Sequence, residues 1–89
     1  MDDTDDEHFT QAVALEIRVI LARKGWSRER LAQESGIPLP TLQRYIAGKR
    51  QIPIPAFLKV LRALGVSLKD FGEAVDRGVN TSTKGASHD

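Results

Sequence analysis

The sequence contains no cysteine, which excludes disulfides and thiolate metal sites. No apolar run approaches the length of a membrane-spanning helix. The acidic start, MDDTDDEHFT, lacks the basic stretch that opens a signal peptide. The two histidines, His8 and His88, lie near opposite ends of the chain, and no nucleophile–base pair or metal-ligand spacing occurs. We therefore expect a cytoplasmic protein that is not an enzyme, with no cofactor, no metal, no membrane and no small-molecule substrate.

The net charge of +1 hides an uneven distribution of charge along the chain. Residues 1–7 carry five acids and no base, whereas residues 16–62 carry ten Lys or Arg against three Glu. A basic middle favours a polyanionic partner, although a solvated surface with a chance excess of cations has the same composition. The acidic block predicts a disordered tail over residues 1–8, whose alternative role is to compete with phosphate for the cations.

Apolar residues recur at helical spacing along the chain, and no strand pattern competes. In the first helical stretch, Arg18 falls outside the apolar stripe, on the surface. The polar residues 78–89 predict a second disordered tail. The expected fold class is all-α, with one domain at residues 9–77. We predict five helices, each followed by a glycine that is typical of a helix stop, at residues 9–24, 28–35, 39–47, 55–64 and 67–77.

One stretch, GWSRERLAQESGIPLPTLQRYIAGKR at residues 25–50, predicts a helix, a turn containing glycine and a second helix. This order is a helix-turn-helix, whose second helix can enter the major groove of DNA. Trp26 precedes the N-cap candidate Ser27 at the position of a hydrophobic staple, so we interpret Trp26 as a core residue. Pro38 and Pro40 suit a helix start, because the first-turn N–H groups have no internal acceptor. The regular helix is expected to begin at Pro40.

The outward side of this second helix carries residue types that read bases. A helical wheel turns Gln43 and Arg44 away from the core and sets Leu39 at the leading tip. Arg pairs with guanine and Gln with adenine in the major groove. Leu39 and Pro40 offer apolar contact to a thymine methyl. We assign these four residues to base contact, and on the inward side the wheel places Leu42, Tyr45 and Ile46.

Phosphate contacts are expected on both sides of the base-reading helix. Ser27 and Arg28 stand at the start of the preceding helix, where free backbone amides also meet a phosphate. Lys49 and Arg50 follow the base-reading helix, and Thr41 lies in its first turn. We assign these five residues to the DNA backbone. The alternative for Lys49 and Arg50 is a solvated loop, or cations placed favourably at a helix C-terminus.

Together with FLKVLRALGVSLKDF at residues 57–71, this stretch resembles the phage-repressor helix-turn-helix family, the Cro/repressor or XRE-like domains, over residues 13–71. The resemblance implies a compact five-helix bundle of the lambda-repressor type, double-stranded operator DNA as partner, and dimers on two half-sites. The chain departs from the family at Pro38, where a Ser or Thr cap is common, and at Leu39-Pro40, where polar residues are common. The family sites matched by position are Leu39, Pro40, Gln43 and Arg44 for bases, and Ser27, Arg28, Lys49 and Arg50 for the backbone.

The function expected from these features is that of a sequence-specific transcriptional regulator that binds double-stranded DNA with residues 39–47 in the major groove. It would be a small phage-type or bacterial repressor, such as those of phage immunity. The alternative is an antitoxin or another protein-interaction adaptor, because Leu39, Pro40 and Ala47 make an apolar outward patch. For a homodimer, the candidate surface is the last helix, through Val75 and Val79.

Overall fold

The chain folds as a set of helices joined by short turns. A computed structural model describes the backbone of residues 3–87 and the side chains of residues 7–78. The expected all-α class with five helices is confirmed. Within the described residues there is no strand, and the helices are α1 (Asp3–Lys24), α2 (Arg28–Ser35), α3 (Leu39–Ile46), α4 (Ile54–Leu64) and α5 (Leu68–Ser87).

One apolar core holds the five helices together. α1 packs against α3 and α5, and α2 packs against α3 and α4. Among the described side chains, those that are buried are apolar or aromatic, and none is charged. Removing the apolar side chains from water is the main favourable term in the free energy of folding. The positions of the apolar residues along each helix therefore decide which side of that helix packs against the core. The most enclosed large side chains are Ile17, Leu31, Leu42, Ile46, Val60, Leu64 and Phe71.

Serine side chains cap the starts of α2 and α5. Ser27 Oγ accepts a hydrogen bond from the backbone N–H of Arg30, and Ser67 Oγ accepts one from Asp70, both at 3.0 Å. A side-chain oxygen at this position satisfies one of the backbone donors that the first turn leaves unpaired. α3 and α4 instead have a proline as the N-cap residue and another in the first turn, without a side-chain cap. The prolines remove donors from the first turn rather than satisfying them.

The first and last helices are longer than the sequence predicts. α1 begins at Asp3, although residues 1–8 are predicted as a disordered tail. α5 continues to Ser87, although residues 78–89 are predicted as another. Acids stabilise the first turns of a helix because its N-terminal end carries partial positive charge. An acidic block is therefore as compatible with a longer helix as with a disordered tail. The predicted tails also include residues 1–2 and 88–89, which lie outside the described residues.

Gly78 explains why the predicted end of α5 is wrong. A glycine ends a helix when it takes the left-handed conformation and the chain then turns towards a following element. Gly78 is not among the glycines with positive φ, and the backbone stays helical through it. Residues 80–89, NTSTKGASHD, contain no apolar stretch that would turn the chain towards the core. Glycine is therefore a permissive residue here and does not stop the helix.

Val75 belongs to the core rather than to the surface. Its side chain is 4% exposed and lies in the same buried cluster as Val13 and Phe71. The prediction that α5 offers Val75 to a second copy is wrong, because α5 packs on α1 and turns this residue inward. The side chain of Val79, the other residue of that prediction, lies outside the described side chains.

Replacing Leu64 by Ala should lower the free energy of unfolding by about 2–5 kcal/mol, because this side chain is 1% exposed and its loss leaves a cavity. Leu58→Ala on the same helix is the matched control. The Leu58 side chain is 42% exposed, so its removal should change stability by no more than about 0.5 kcal/mol. Urea unfolding followed by circular dichroism measures both, and equal losses would contradict the packing of α4.

Candidate nucleic-acid interface

Two residues set the turn between α2 and α3. Gly36 takes the left-handed conformation, with φ 77°, which a residue without Cβ adopts at little steric cost. Its N–H donates to the Ala32 carbonyl at 2.9 Å and closes α2. Ile37 then turns into the core and is 6% exposed. The buried isoleucine fixes the direction in which the chain enters α3.

α3 has an inward and an outward side, as the helical wheel predicts. Leu42 and Ile46 are fully buried and Tyr45 is 7% exposed, whereas Gln43 and Arg44 are exposed. A short helix with one strongly apolar side buries that side in the core, so the other side must face water. Of the other predicted contact residues on this helix, Pro40 is exposed and Leu39 and Thr41 are partly exposed. Ala47, which belongs to the predicted apolar patch and follows the helix, is exposed.

α3 starts at residue 39, as the predicted range 39–47 has it, and it is regular one residue before the expected start at Pro40. Leu39 is its first residue and Pro38 its N-cap, because the extended Pro38 (φ −55°, ψ 138°) already provides the non-helical residue that precedes a helix. The Pro38 carbonyl accepts the N–H of Leu42 at 2.9 Å. Since Pro40 has no N–H, the first turn leaves only the amides of Leu39 and Thr41 without an internal acceptor. The tip of α3 is therefore apolar, with two backbone donors and no polar cap.

The start of α2 combines a cap with exposed cations. The Ser27 hydroxyl oxygen accepts the cap bond, and its O–H can still donate outward. Arg28 is the first residue of α2 and is exposed. Trp26 packs against the core, as predicted, but its ring also meets two cations that were not predicted. The Arg30 guanidinium lies 4.2 Å from the ring centroid and the Lys24 ammonium 5.2 Å, distances at which a cation attracts an aromatic face.

Two side chains of α1 contact the end of α3. Gln11 Nε2 donates to the Gly48 carbonyl at 2.8 Å, and Arg18 Nη1 donates to the Ile46 carbonyl at 2.5 Å. Arg18, which the sequence places outside the apolar stripe of α1, is partly buried, because its side chain reaches across to another helix. Neither residue was predicted to act at this site. Their seven-position spacing, which puts both on one side of α1, is the sequence signal that could have found them.

The predicted contact residues share one structural unit, because α2 packs against α3. Ser27 and Arg28 stand at the first turn of one helix, and Gln43 and Arg44 lie on the outward side of the other. Lys49 and Arg50 are exposed in the turn that follows α3. Exposed cations and an exposed amide can together bind a polyanion and hydrogen-bond to it. The individual contacts to bases and phosphates stay predictions.

The residues that the structure describes form neither a metal site nor a membrane-spanning helix. Within the residues that the structure describes, no three His, Asp or Glu side chains gather as a metal ion would require. None of the described helices has the length and hydropathy needed to cross a membrane. An apolar groove of about 420 Å³ lies between α1, α4, α5 and the chain after α3. Gln43 and Arg44 do not line it, so the groove is separate from the outward side of α3, although Arg50, after α3, lines the groove as well.

The fold and the exposed face of α3 define the class of protein. A helix-turn-helix family model, HTH_3, matches residues 17–71, which is more than half of the chain. The chain belongs to this helix-turn-helix family, of the XRE type, and its class is that of DNA-binding transcriptional regulators. The family match confirms the resemblance inferred from the sequence.

Among solved structures, the chain is similar to a mutant of the restriction-modification controller protein C.Esp1396I. The two chains are 22% identical, with a TM-score of 0.76 over 91% of this chain and 95% of that one. At this level of identity the likeness shows a shared fold, and function has to be argued from the site. No curated protein matches this chain significantly.

Replacing Ser27 by Ala should lower the free energy of unfolding by about 1 kcal/mol, since the Arg30 N–H loses its acceptor. Ser27→Asp retains an acceptor for this N–H, so its urea midpoint should stay close to that of the parent chain. Urea titration of the two variants separates the cap from other roles of the hydroxyl. The same loss in both variants would rule out the capping role.

Proposed function

We propose that this protein is a sequence-specific repressor that places α3 in the major groove of double-stranded operator DNA. The observation that carries the proposal is the exposure of Gln43 and Arg44 on a helix whose other side is anchored in the core. Anchoring holds the amide and the guanidinium in fixed positions, as pairing with a base edge requires. Repression needs no more than occupancy of the operator. The protein acts in the cytoplasm, as a phage-type or bacterial regulator, and is not an enzyme.

The base-contacting residues have different roles. Arg44 donates to O6 and N7 of a guanine, and Gln43 pairs with N6 and N7 of an adenine. The apolar tip, Leu39 and Pro40, lies against a thymine methyl, where a polar side chain would gain nothing. The absence of a side-chain cap at Pro38 supports this role, because Leu39 and Pro40 bring no polar side-chain group that contact with the thymine methyl would have to desolvate.

The backbone-contacting residues lie on both sides of this helix. Ser27 donates its O–H, and Arg28 adds charge at the first turn of α2, where free amides favour an anion. Thr41 contributes one of the two N–H groups that the first turn of α3 leaves without an internal acceptor. Lys49 and Arg50, exposed after α3, meet the phosphates beyond it. These contacts fix the register of α3 on the duplex and carry no sequence information.

Arg44→Ala should reduce the preference for guanine at one operator position by about 1–3 kcal/mol and leave binding to unrelated DNA almost unchanged. Arg28→Ala should instead weaken binding to all duplexes alike and reduce the slope of log affinity against log salt by about 1, because it removes a phosphate contact. Fluorescence anisotropy, with a duplex selected from a random pool by the parent chain and an unrelated duplex of equal length, measures both effects.

Arg62→Ala is the control for loss of one positive charge, since Arg62 is exposed on α4 and outside the proposed interface. An unchanged base preference in Arg44→Ala would defeat the role given to that residue. If the parent chain selects no duplex at moderate salt, the repressor proposal fails and the adaptor alternative is favoured.

We also propose that the protein binds its operator as a homodimer, formed through the apolar groove. Three large apolar side chains line the groove and remain exposed: Phe9 at 52%, Ile54 at 68% and Leu68 at 57%. Exposed apolar side chains gathered around one concave surface are typical of an interaction site. The groove replaces the dimer surface predicted from Val75 and Val79, since Val75 forms part of its buried floor.

A second copy of this chain is the partner that the groove favours. Ile54 and Leu68 protrude beside a groove that is lined by the half-buried Phe57 and the buried Phe71. In a two-fold arrangement the protruding side chains of each copy enter the groove of the other, so one patch is complementary to itself. The two copies then present two α3 helices to half-sites about 34 Å apart. The added contact area supports tighter binding than one small domain provides.

The variant Ile54→Glu/Leu68→Glu should sediment as a monomer where the parent chain is a dimer, because each carboxylate would be buried without a partner. Operator affinity should fall by at least about tenfold, since the two domains would then bind their half-sites independently. Leu58→Glu, on α4 but outside the groove, should leave both unchanged. A parent chain that is monomeric at operator-saturating concentration would disprove the dimer and leave the DNA proposal standing.

A further inference from the structure

The last turn of α3 depends on hydrogen bonds from another helix. The final carbonyls of a helix have no intrahelical partner and need one from elsewhere. Here the carbonyls of Gln43, Arg44 and Tyr45 accept the N–H groups of the residues that follow, at 2.9–3.1 Å. The carbonyls of Ile46 and Gly48 accept side-chain bonds from α1 instead, through Arg18 and Gln11.

Gly48 and Gln11 fit against each other closely. Gly48 has φ +73°, and a Cβ at this position would lie 2.6 Å from Oε1 and 2.7 Å from Nε2 of Gln11. The Gln11 amide therefore occupies the space that any other residue at position 48 would need. Gly65 is a useful contrast, because its φ of +72° is almost the same and no atom lies within 4 Å of its Cβ position.

We propose that Gln11 and Arg18 are positioning residues for the DNA-binding surface. They fix the turn at residues 46–48, and through it the direction in which Lys49 and Arg50 leave α3. Arg18 also places a positive charge at the negative end of the helix dipole, which strengthens its bond to the Ile46 carbonyl. The inference rests on the proposed function in one respect only, namely that Lys49 and Arg50 contact DNA.

Loss of either side chain should loosen the turn without unfolding α3. The helix keeps its core contacts through Leu42, Tyr45 and Ile46, none of which involves Gln11 or Arg18 hydrogen bonds. The carbonyls of Ile46 and Gly48 would then be left to water, and the chain after them would sample more than one direction. Affinity for a duplex whose bases are contacted in a fixed register should therefore fall more than affinity for an unrelated duplex.

Gln11→Ala and Arg18→Ala test the proposal, with Arg18→Lys as the conservative variant that retains a charge and a donor. Binding to a duplex selected by the parent chain should weaken about 3- to 10-fold, the equivalent of one net hydrogen bond, and less for an unrelated duplex. Amide hydrogen exchange at residues 47–51 should accelerate without DNA, while exchange at Ile17 in the core stays unchanged. Arg18→Lys should recover most of both effects.

Two control variants on α1 separate positioning from general effects. Arg23→Ala removes an exposed cation and Leu15→Ala an exposed apolar side chain, and neither should change exchange at residues 47–51. Parent-like exchange and affinity in both Gln11→Ala and Arg18→Ala would overturn the proposal. Faster exchange of the core by the same factor would also overturn it, since the role would then be global stability. Failure of the parent chain to select DNA would defeat the proposed function, while the exchange result would still decide the role of the two residues.

Gly48→Ala displaces the Gln11 amide by an independent route. It should accelerate exchange at residues 47–51 more than Gly65→Ala accelerates exchange at residues 64–68, because both introduce a side chain at almost the same positive φ and only position 48 also meets Gln11. In the double variant Gln11→Ala/Gly48→Ala the two effects on exchange should be less than additive, because both remove one contact. Additive effects, or the same exchange in Gly48→Ala and the parent chain, would contradict the contact.

Discussion

Burial of one side of α3 is the constraint on which the rest of the structure depends. α3 has eight residues, too few for a stable helix in isolation, so it is helical because the core holds it. Leu42, Tyr45 and Ile46 occupy that core, and exchanging them for the outward residues would expose apolar surface and bury a guanidinium without a partner. The packing that stabilises the domain therefore also decides which side chains face a partner.

The two ends of α3 are held in opposite ways, and the difference suits the proposed role. At the start, prolines reduce the number of free donors and leave an apolar tip without a side-chain cap. At the end, backbone bonds and two side chains of α1 satisfy the carbonyls of residues 43–46 and of Gly48. The hydrogen bonds at the C-terminal end of α3 can keep its orientation constant, while its uncapped N-terminal tip lies close to a base edge.

α1 supports both of the proposed surfaces. Through Gln11 and Arg18 it bonds to the end of α3, and through Phe9 it lines the apolar groove. A chain of 89 residues has one thin core, so a single long helix must serve as the backing for more than one surface. The orientation of α3 relative to a second copy would therefore be set by the packing of α1.

The sequence by itself determined the five helices, the helix-turn-helix and the two sides of α3, because apolar periodicity and turn glycines are local properties of the chain. Tertiary structure alone decided the burial of Val75, the cations around Trp26, and the reach of Arg18 to a carbonyl 28 residues away. Each of these depends on which distant segment lies opposite, and local spacing carries no information about that. Gly78 shows the same limit, since a glycine permits a helix to end and only the segment that follows can make it turn.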